Sequence, residues 1–394
     1  MRLRWPPRPT VGPFRDGAFS GRLHDERTAA VLGVALGVGF TVCFATGVLS
    51  HLIQNPPSWF LWTSRPAGLY RLTQGTHVAL GLALIPVLLA KLWVVYPKFF
   101  DWPPFGSFPH FVERVTILPL VGGGLFLTFT GLGNINVWRP WNFGFRPGHY
   151  WAAWITIGAL VIHVFAKYAT TRDALWRSGG HAAAKDLDAT GDNGSAGMSR
   201  RGFLATTFGA SAAVALFTVG QSFEPLRTVA YLAPRRPDSG PQGLPVNRTA
   251  ASVGLTDVDV ADYRLTVEGP AATDPFELTY DELRALPQRT VELPIACVEG
   301  WSANATWTGV PVSDLLERAG APNDCEARAI SMQDSPRQRS SDLNRLHAHD
   351  RDTLLALEVN GETLDADHGF PVRLIGPNRP GVMQTKWVSR LEAR

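Results

Sequence analysis

Five stretches of this chain contain no Asp, Glu, Lys or Arg: residues 28–64, 72–90, 115–138, 147–166 and 202–223. Each is about as long as the roughly 20 residues a helix needs to cross the hydrocarbon core of a bilayer. The last, rich in Ala and Gly, would by itself also suit a buried core helix. Four others in succession, separated by short polar loops, do not suit that reading, and a 45% hydrophobic content with 13 Trp agrees with a membrane component. The expectation is five transmembrane helices followed by a non-membrane domain. The opening segment, "MRLRWPPRPTVGPFRDGAFSGRLHDER", is polar, basic and Pro-rich, so it reads as a cytoplasmic tail and not as a cleavable signal.

Lys and Arg beside the helix ends set the orientation, because they favour the cytoplasmic side. With the N-terminus inside, the inner segments 1–28, 98–114 and 167–201 carry 6, 2 and 6 of them, whereas the outer loops 54–71 and 136–147 carry 2 each. An odd number of spans then places everything after about residue 224 outside the cytoplasm. That exterior part holds 18 basic and 25 acidic residues, a net of −7, against +10 for the part before it. An acidic exterior gives no support to nucleic-acid or anionic-lipid binding there.

An ionisable side chain inside a span is a functional candidate, because burying it unpaired is costly. His149 and His163 lie on the fourth span, "GHYWAAWITIGALVIHVFAKYA". Their separation is about 3.9 turns and roughly 21 Å, which puts one imidazole near each leaflet on nearly the same side. His77, in "LTQGTHVALGLALIPVLLAKLW", lies at about the depth of His149. Two facing histidines at one depth suit a haem whose iron takes two axial nitrogens. A single lone histidine can equally be a hydrogen-bonded polar group between helices. Lys91, two heptads after His77, is a snorkelling lysine or a partner for a haem propionate.

Residues 24–172 resemble the membrane cytochrome b subunits of formate dehydrogenases and hydrogenases, in which the fourth helix carries two histidines at this spacing. The resemblance implies a haem b held on the outer side by His77 and His149, and a second, inner haem at His163. In that family the inner partner sits early in the first helix, where this chain reads "TAAVLGVALGVGF" without histidine. His110, in "GSFPHFVERV", or His24 would then take its place. His51 falls at the outer end, where it can ligate iron, line the haem edge or bond a propionate.

Residues 173–198, including "SGGHAAAKDLDATGDNGSAGM", read as a flexible inner linker. "SRRGFL" precedes the fifth run; it is a basic topology anchor or, by its Arg200, Arg201, Phe203 and Leu204, resembles a twin-arginine signal for export of a folded, cofactor-loaded domain. A Pro/Gly-rich linker over about 224–246 follows. Beyond it the pattern is mostly β: "YRLTVEG" and "TVELPIAC" as strands, a capping box at Thr279 and Glu282, a helix from Pro311 to Gly320, and a hairpin about Asn360 and Gly361. Exported cysteines usually pair, and Cys297 with Cys325 would close a loop of moderate size. Against this, Cys297 ends a strand and meets "VEGW", a tight turn that would hold a thiolate at the strand's mouth, while Cys325 sits in a polar loop. Cys43 reads as a small apolar packer.

"ACVEGWSANATWTGVPVSDLLERAG", with "DYRLTVEG" before it and "HGFPVRLIGP" and "TKWVSRLE" after it, resembles the sulfite oxidase family of molybdopterin enzymes over about residues 245–394. The resemblance implies that Cys297 binds molybdenum, for which a soft thiolate is suited. It further implies that Asn247, His368, Arg373, Gln384, Thr385 and Lys386 contact the anionic pterin, where an Arg fork and a Lys charge have a physical role. Relatives often carry Gly-Tyr-Lys where this chain reads "RPGVMQTKW". Arg337 and Arg339 are either an oxyanion-binding pair or a solvated loop.

The expected fold is multi-domain. After the tail at 1–28 come an all-α transmembrane bundle over 29–172, the linker at 173–198, a fifth linking helix over 199–223 and the 224–246 linker. A mixed, β-rich α+β molybdopterin domain over 247–394 completes it. The expected function is oxygen-atom transfer on a small oxyanion or S- or N-oxide, at an extracytoplasmic molybdenum site of a bacterial cytoplasmic membrane protein. Electrons would be exchanged through haem b with the quinone/quinol pool. The competing expectation is a metal-free membrane sensor whose domain has lost the cofactor.

Overall fold

The computed structural model describes all 394 residues except 1–5, 16–17, 20–22, 104–106, 177–197, 237 and 335–338. Most of the expected inner linker and Arg337 therefore lie outside the described residues. Two compact units are present, Met1–Ala45 with His77–Leu216, and Thr46–Thr76 with Phe217–Arg394.

The first unit is helical. The helices are α1 (Glu26–Gln54), α2 (Leu69–Val95), α3 (Phe108–Ile135), α4 (Phe145–Trp176) and α5 (Arg200–Val219). All five are long and apolar enough to cross a membrane. Asp25 starts α1 by accepting hydrogen bonds from the backbone N–H of Arg27 and Thr28, and Ser107 caps α3 just ahead of Pro109. Hydroxyls within these helices satisfy themselves along the helix: Thr41, Thr128, Thr156 and Thr207 donate to the carbonyls of Gly37, Gly124, Ala152 and Phe203. Helices α3 and α4 pack closely, since Gly123 leaves no room for a β-carbon beside Thr156. Leu118, Trp151, Ile155 and Phe165 stay exposed. Lys91 donates to the Ala29 carbonyl at 2.5 Å, near the start of α1.

The second unit is built on ten strands: β1 (Arg264–Glu268), β2 (Phe276–Thr279), β3 (Arg289–Ala296), β4 (Ser302–Pro311), β5 (Ala327–Ser331), β6 (Ser340–Leu343), β7 (Leu354–Val359), β8 (Glu362–Thr363), β9 (Arg373–Ile375) and β10 (Val388–Ala393). Short helices α6 (Tyr280–Ala285), α7 (Val312–Arg318) and α8 (Arg345–Ala348) connect them. The strands form two sheets, ordered β2-β1-β10-β5-β6 and β3-β4-β7-β8, with β9 on β7. The Thr279–Glu282 capping box forms, as do the Pro311 start of α7 and the turn at Asn360 and Gly361, both at positive φ. The parallel pairing of β1 with β10 closes the first sheet across the whole domain. Tyr263 ties the same seam by donating to the Val388 carbonyl at 2.6 Å.

Residues 46–76, which comprise the end of α1, the connection to α2 and the start of α2, fold with this β framework. Asn378, 2% exposed and at φ 54, holds them: its Oδ1 accepts from Tyr70 N, its Nδ2 donates to Thr63 O, its backbone N–H donates to Ala67 O, and its carbonyl accepts from Trp62 Nε1. Arg65 adds ion pairs to Asp350 and Asp352.

Buried His347, bonded at Nδ1 to Asn344, makes the stability of this unit depend on pH. Burial, and after it the charge of Arg379, pushes its pKa down to about 3. The folded value lies below the ordinary 6.5, so the unfolded chain binds the proton first; the stability is complete above pH 6.5 and lost as pH falls toward 3. We expect acid to lower the unfolding temperature of the full chain less steeply in His347→Gln than in the parent, by at most about 1.4 kcal/mol per pH unit.

Candidate functional site

Strand β3 delivers Cys297 to a turn that closes on itself. The Cys297 N–H donates to Trp301 O at 2.9 Å and the Gly300 N–H to Cys297 O at 3.0 Å, a loop that needs Gly300 at φ 93. The Cys297 side chain faces a cleft with about 730 Å³ of atom-free space, shared with Asn247, Arg248, Trp301, His368, Arg373 and Lys386, among others. Gln384 and Thr385 also line it.

Cys297 is 5% exposed and all three cysteines are free thiols, so Cys297 and Cys325 are not paired. The expected open strand mouth is thus corrected: Trp301 and the 381–385 segment wall in the sulfur, a closure that the local turn pattern cannot show. Asn247 Nδ2 donates to Cys297 Sγ at 3.0 Å. Burial first, and Glu299 second, push the thiol up to about 12. Such a thiol is inert in the metal-free state and gives up its proton to a metal. Cys325 lies elsewhere, 3.7 Å from His349 Nε2.

Arg373 leaves β9 pointing inward and is 2% exposed. Its Nη1 donates to His368 O at 3.0 Å and Nη2 to Gln384 O at 3.3 Å, while its buried Nε has no hydrogen-bond partner among the described residues. Burial pushes the guanidinium down to about 10. Lys386 Nζ donates to the carbonyls of Arg248 and Asp367, and burial, then Arg373, push it down to about 7. Gly369, at φ 108, allows the two cations to converge, since a β-carbon there would lie 2.9 Å from that of Lys386 and 3.1 Å from that of Arg373. Among the described residues neither cation is in an ion pair with a carboxylate.

The other expected contacts divide. His368 is buried and donates through Nε2 to Pro241 O at 2.7 Å; burial pushes it down to about 4, so it is neutral. Gln384 spends its amide on Gly376, with Oε1 accepting from the N–H and Nε2 donating to the carbonyl, and Thr385 pairs with Ser341 at 2.7 Å. These two shape the wall. Arg339 lines a separate surface cleft with Arg328 and Arg390. Sequence reasoning missed Arg248, Trp301 and Gln333 in the Cys297 cleft; the "EGW" turn after the cysteine was a usable signal for Trp301.

These residues fit a molybdenum–pterin group. A buried thiol, two cations unmatched by carboxylates and the partnerless Nε1 of Trp301 suit an anionic, hydrogen-bonding ligand. Among the described residues no group of three His, Cys, Asp or Glu gathers to hold a metal, so one protein sulfur would share it with sulfurs of the ligand.

In the helical unit, His77 and His149 have ring centroids 6.1 Å apart and planes at 66°. His77 Nδ1 bonds to Cys43 O at 2.9 Å and His149 Nδ1 to Thr130 Oγ1 at 2.9 Å. Such bonds orient a ligand imidazole and set its tautomer. His163 lies three residues before the charge-free stretch of α4 ends at 166, and His110 lies in the first turn of α3 with its N–H on Ser107. His24 Nδ1 meets Val94 O at 3.1 Å, and His51 is in the last turn of α1, within the β-containing unit.

Residues 252–394 match the family described as oxidoreductase molybdopterin binding domain. The chain is similar to YedZ1, a proposed subunit of protein-methionine-sulfoxide reductase from Azospira oryzae, at 35% identity over 41% of this chain and 60% of that one. Similarity to mitochondrial sulfite oxidase of Drosophila melanogaster is 31% over 34% of this chain and 27% of that one. Sulfane dehydrogenase SoxCD from Paracoccus pantotrophus matches at 29% identity with a TM-score of 0.32, covering 35% of this chain and 39% of that chain. The chain thus spans less than two thirds of each of these relatives.

A bound anion favours protonated Lys386, so it raises a pKa otherwise depressed to about 7. Retention of an anionic pterin is then greatest below pH 7 and weakens as pH rises above it. We expect pterin release, followed by fluorescence of the oxidised pterin, to accelerate between pH 7 and 9 in the parent, and Lys386→Met to lose that pH dependence together with most of its pterin.

Proposed function

With residues 252–394 as an oxidoreductase molybdopterin-binding domain for premise, we propose that this chain is a membrane-bound molybdopterin-dependent oxidoreductase of the sulfite oxidase or methionine sulfoxide reductase type. It exchanges electrons through haem b with the quinone pool. The observation that carries the reading is buried Cys297 in a cleft shared with buried Arg373 and Lys386, neither in a direct ion pair with a carboxylate among the described residues.

When bound, the molybdenum–pterin group supplies two-electron oxygen-atom exchange with a small oxyanion, sulfoxide or N-oxide. Cys297 holds the metal, and Asn247 steadies its sulfur by hydrogen bonding. Arg373 and Lys386 bind the pterin's negative charge. Neutral His368 fixes the Pro241 segment against the cleft, and Trp301 offers a buried N–H to substrate or pterin. Trp301, Gln384 and Thr385 line the same cleft as the sulfur.

The haem reading rests on His77 and His149. These two imidazoles, with ring centroids 6.1 Å apart, would hold the haem iron. Nδ1 hydrogen bonding to Cys43 O gives His77 its basic nitrogen at Nε2. His163, with His110 or His24, is the candidate for a second, inner haem, and His51 an outer neighbour. The orientation with the β-containing domain outside follows from the Lys and Arg distribution. Arg200 and Arg201 at the start of α5 fit export of that domain by the twin-arginine route after cofactor loading.

Elemental analysis of the purified protein, with a reduced-minus-oxidised visible spectrum and an activity screen against sulfite, sulfoxides and N-oxides, tests this. We expect molybdenum, a b-type spectrum and turnover of one class. Cys297→Ala should lose the molybdenum and turnover and keep the spectrum; His149→Ala should lose the spectrum and keep the molybdenum. Molybdenum retained in Cys297→Ala overturns the assignment.

A further inference from the structure

Gly381, Val382, Gln384 and Thr385 line the Cys297 cleft, and the segment that carries them is tied down at two places. One is the end of β3. Pro380 forms a parallel bridge with Ala296, and a β-carbon on Gly381 would lie 3.3 Å from the Ala296 carbonyl oxygen and 3.6 Å from Cys297 Cα. The other is the segment 60–70, which belongs to the same compact unit. Its Tyr70, 1% exposed, forms an apolar cluster with Ile53 and Ala296, against which Phe60, Trp62 and Met383 pack. Ala67 packs against a second cluster, the one that contains Cys297 and Trp301. The residue before the candidate metal ligand and the residue before Gln384 thus share one backing, supplied by a distant part of the chain.

Asn378 fastens that backing. Its side chain makes two of the four hydrogen bonds to 62–70, at 2.7 Å with Tyr70 N and 2.7 Å with Thr63 O, and Trp62 Nε1 donates to its carbonyl at 2.8 Å. Asn344, at the α8 cap, adds a donation to Trp62 O at 2.9 Å. Asn378 is three residues before Gly381, so whatever holds the one limits the movement of the other. We propose that Asn378 is a positioning residue for cofactor retention, which fastens segment 60–70 behind the cleft wall and keeps residues 381–385 against Cys297. The inference rests on the molybdopterin reading above. It makes the cofactor-holding unit larger than the matched residues 252–394, because 60–70 support its wall. A ligand held in the cleft leaves when the wall opens, so its release follows the local opening equilibrium.

Two readouts on the full-length protein in detergent test this: pterin release, followed by fluorescence of the oxidised pterin, and amide exchange over residues 378–385. Asn378→Gly keeps the positive φ and removes both side-chain hydrogen bonds, whereas Trp62→Phe keeps an aromatic ring and removes the Nε1 bond. In each variant we expect pterin release and exchange over 378–385 to accelerate about tenfold, the shift from losing one such hydrogen bond. Exchange in β5 should stay at the parental rate. Thr279→Ala removes the α6 cap at a comparable cost and should leave pterin release unchanged, which separates the fastening from general loosening of the unit. Parental release rates in both Asn378→Gly and Trp62→Phe, or equal acceleration in Thr279→Ala, overturn the proposal. A parent protein without molybdenum and pterin overturns the functional reading instead, and the exchange comparison over 378–385 then decides by itself whether Asn378 holds the wall.

Discussion

Positive charge buried beside a thiol, in no direct ion pair with a carboxylate among the described residues, is the constraint around which the β-containing unit is organised. Arg373 comes from β9 and Lys386 from the approach to β10, and Gly369 is the residue small enough to let them meet. Leaving a guanidinium and an ammonium in a low-dielectric cleft is costly unless a ligand compensates them. The depressed pKa values of Arg373, Lys386 and His368 all have burial as their largest cause. The protein carries this cost in the fold, and an anionic cofactor would relieve it.

The walls of the cleft are made of residues that mostly satisfy one another. Gln384 closes on Gly376, Thr385 on Ser341, and His368 on Pro241. A network with its hydrogen bonds complete is rigid, and rigidity is useful where a metal ligand must keep its position. Only a few donors, Arg373 Nε and Trp301 Nε1 among them, have no partner in the described residues. The division between satisfied wall and unsatisfied donors separates structural residues from those suited to hold a ligand.

The connection between α1 and α2 belongs with the β framework. Asn378 alone fixes it through four hydrogen bonds, and Arg65 adds two carboxylate contacts. Hydrogen bonds of this number from one buried amide residue require a fixed geometry, which the positive φ of Asn378 supplies. The sequence shows 54–71 only as a polar loop between apolar runs; its partners lie some 300 residues away, and no periodicity links them.

The sequence by itself determined the local elements: five apolar helices from charge-free runs, the Thr279–Glu282 cap, the turn at Asn360 and Gly361, and the Cys297 motif with the cations that follow it. These depend on helix period, capping chemistry and backbone preference, all of which act within a few residues. Tertiary structure alone decided that β1 pairs with β10, that the Cys297 sulfur is buried and not held at an open mouth, and that His77 and His149 come within 6.1 Å. It also decided that Gln384 and Thr385 serve the wall and that residues 46–76 belong with the β framework. Each of these is a contact between distant parts of the chain, and its energy comes from burial and pairing that no local pattern encodes.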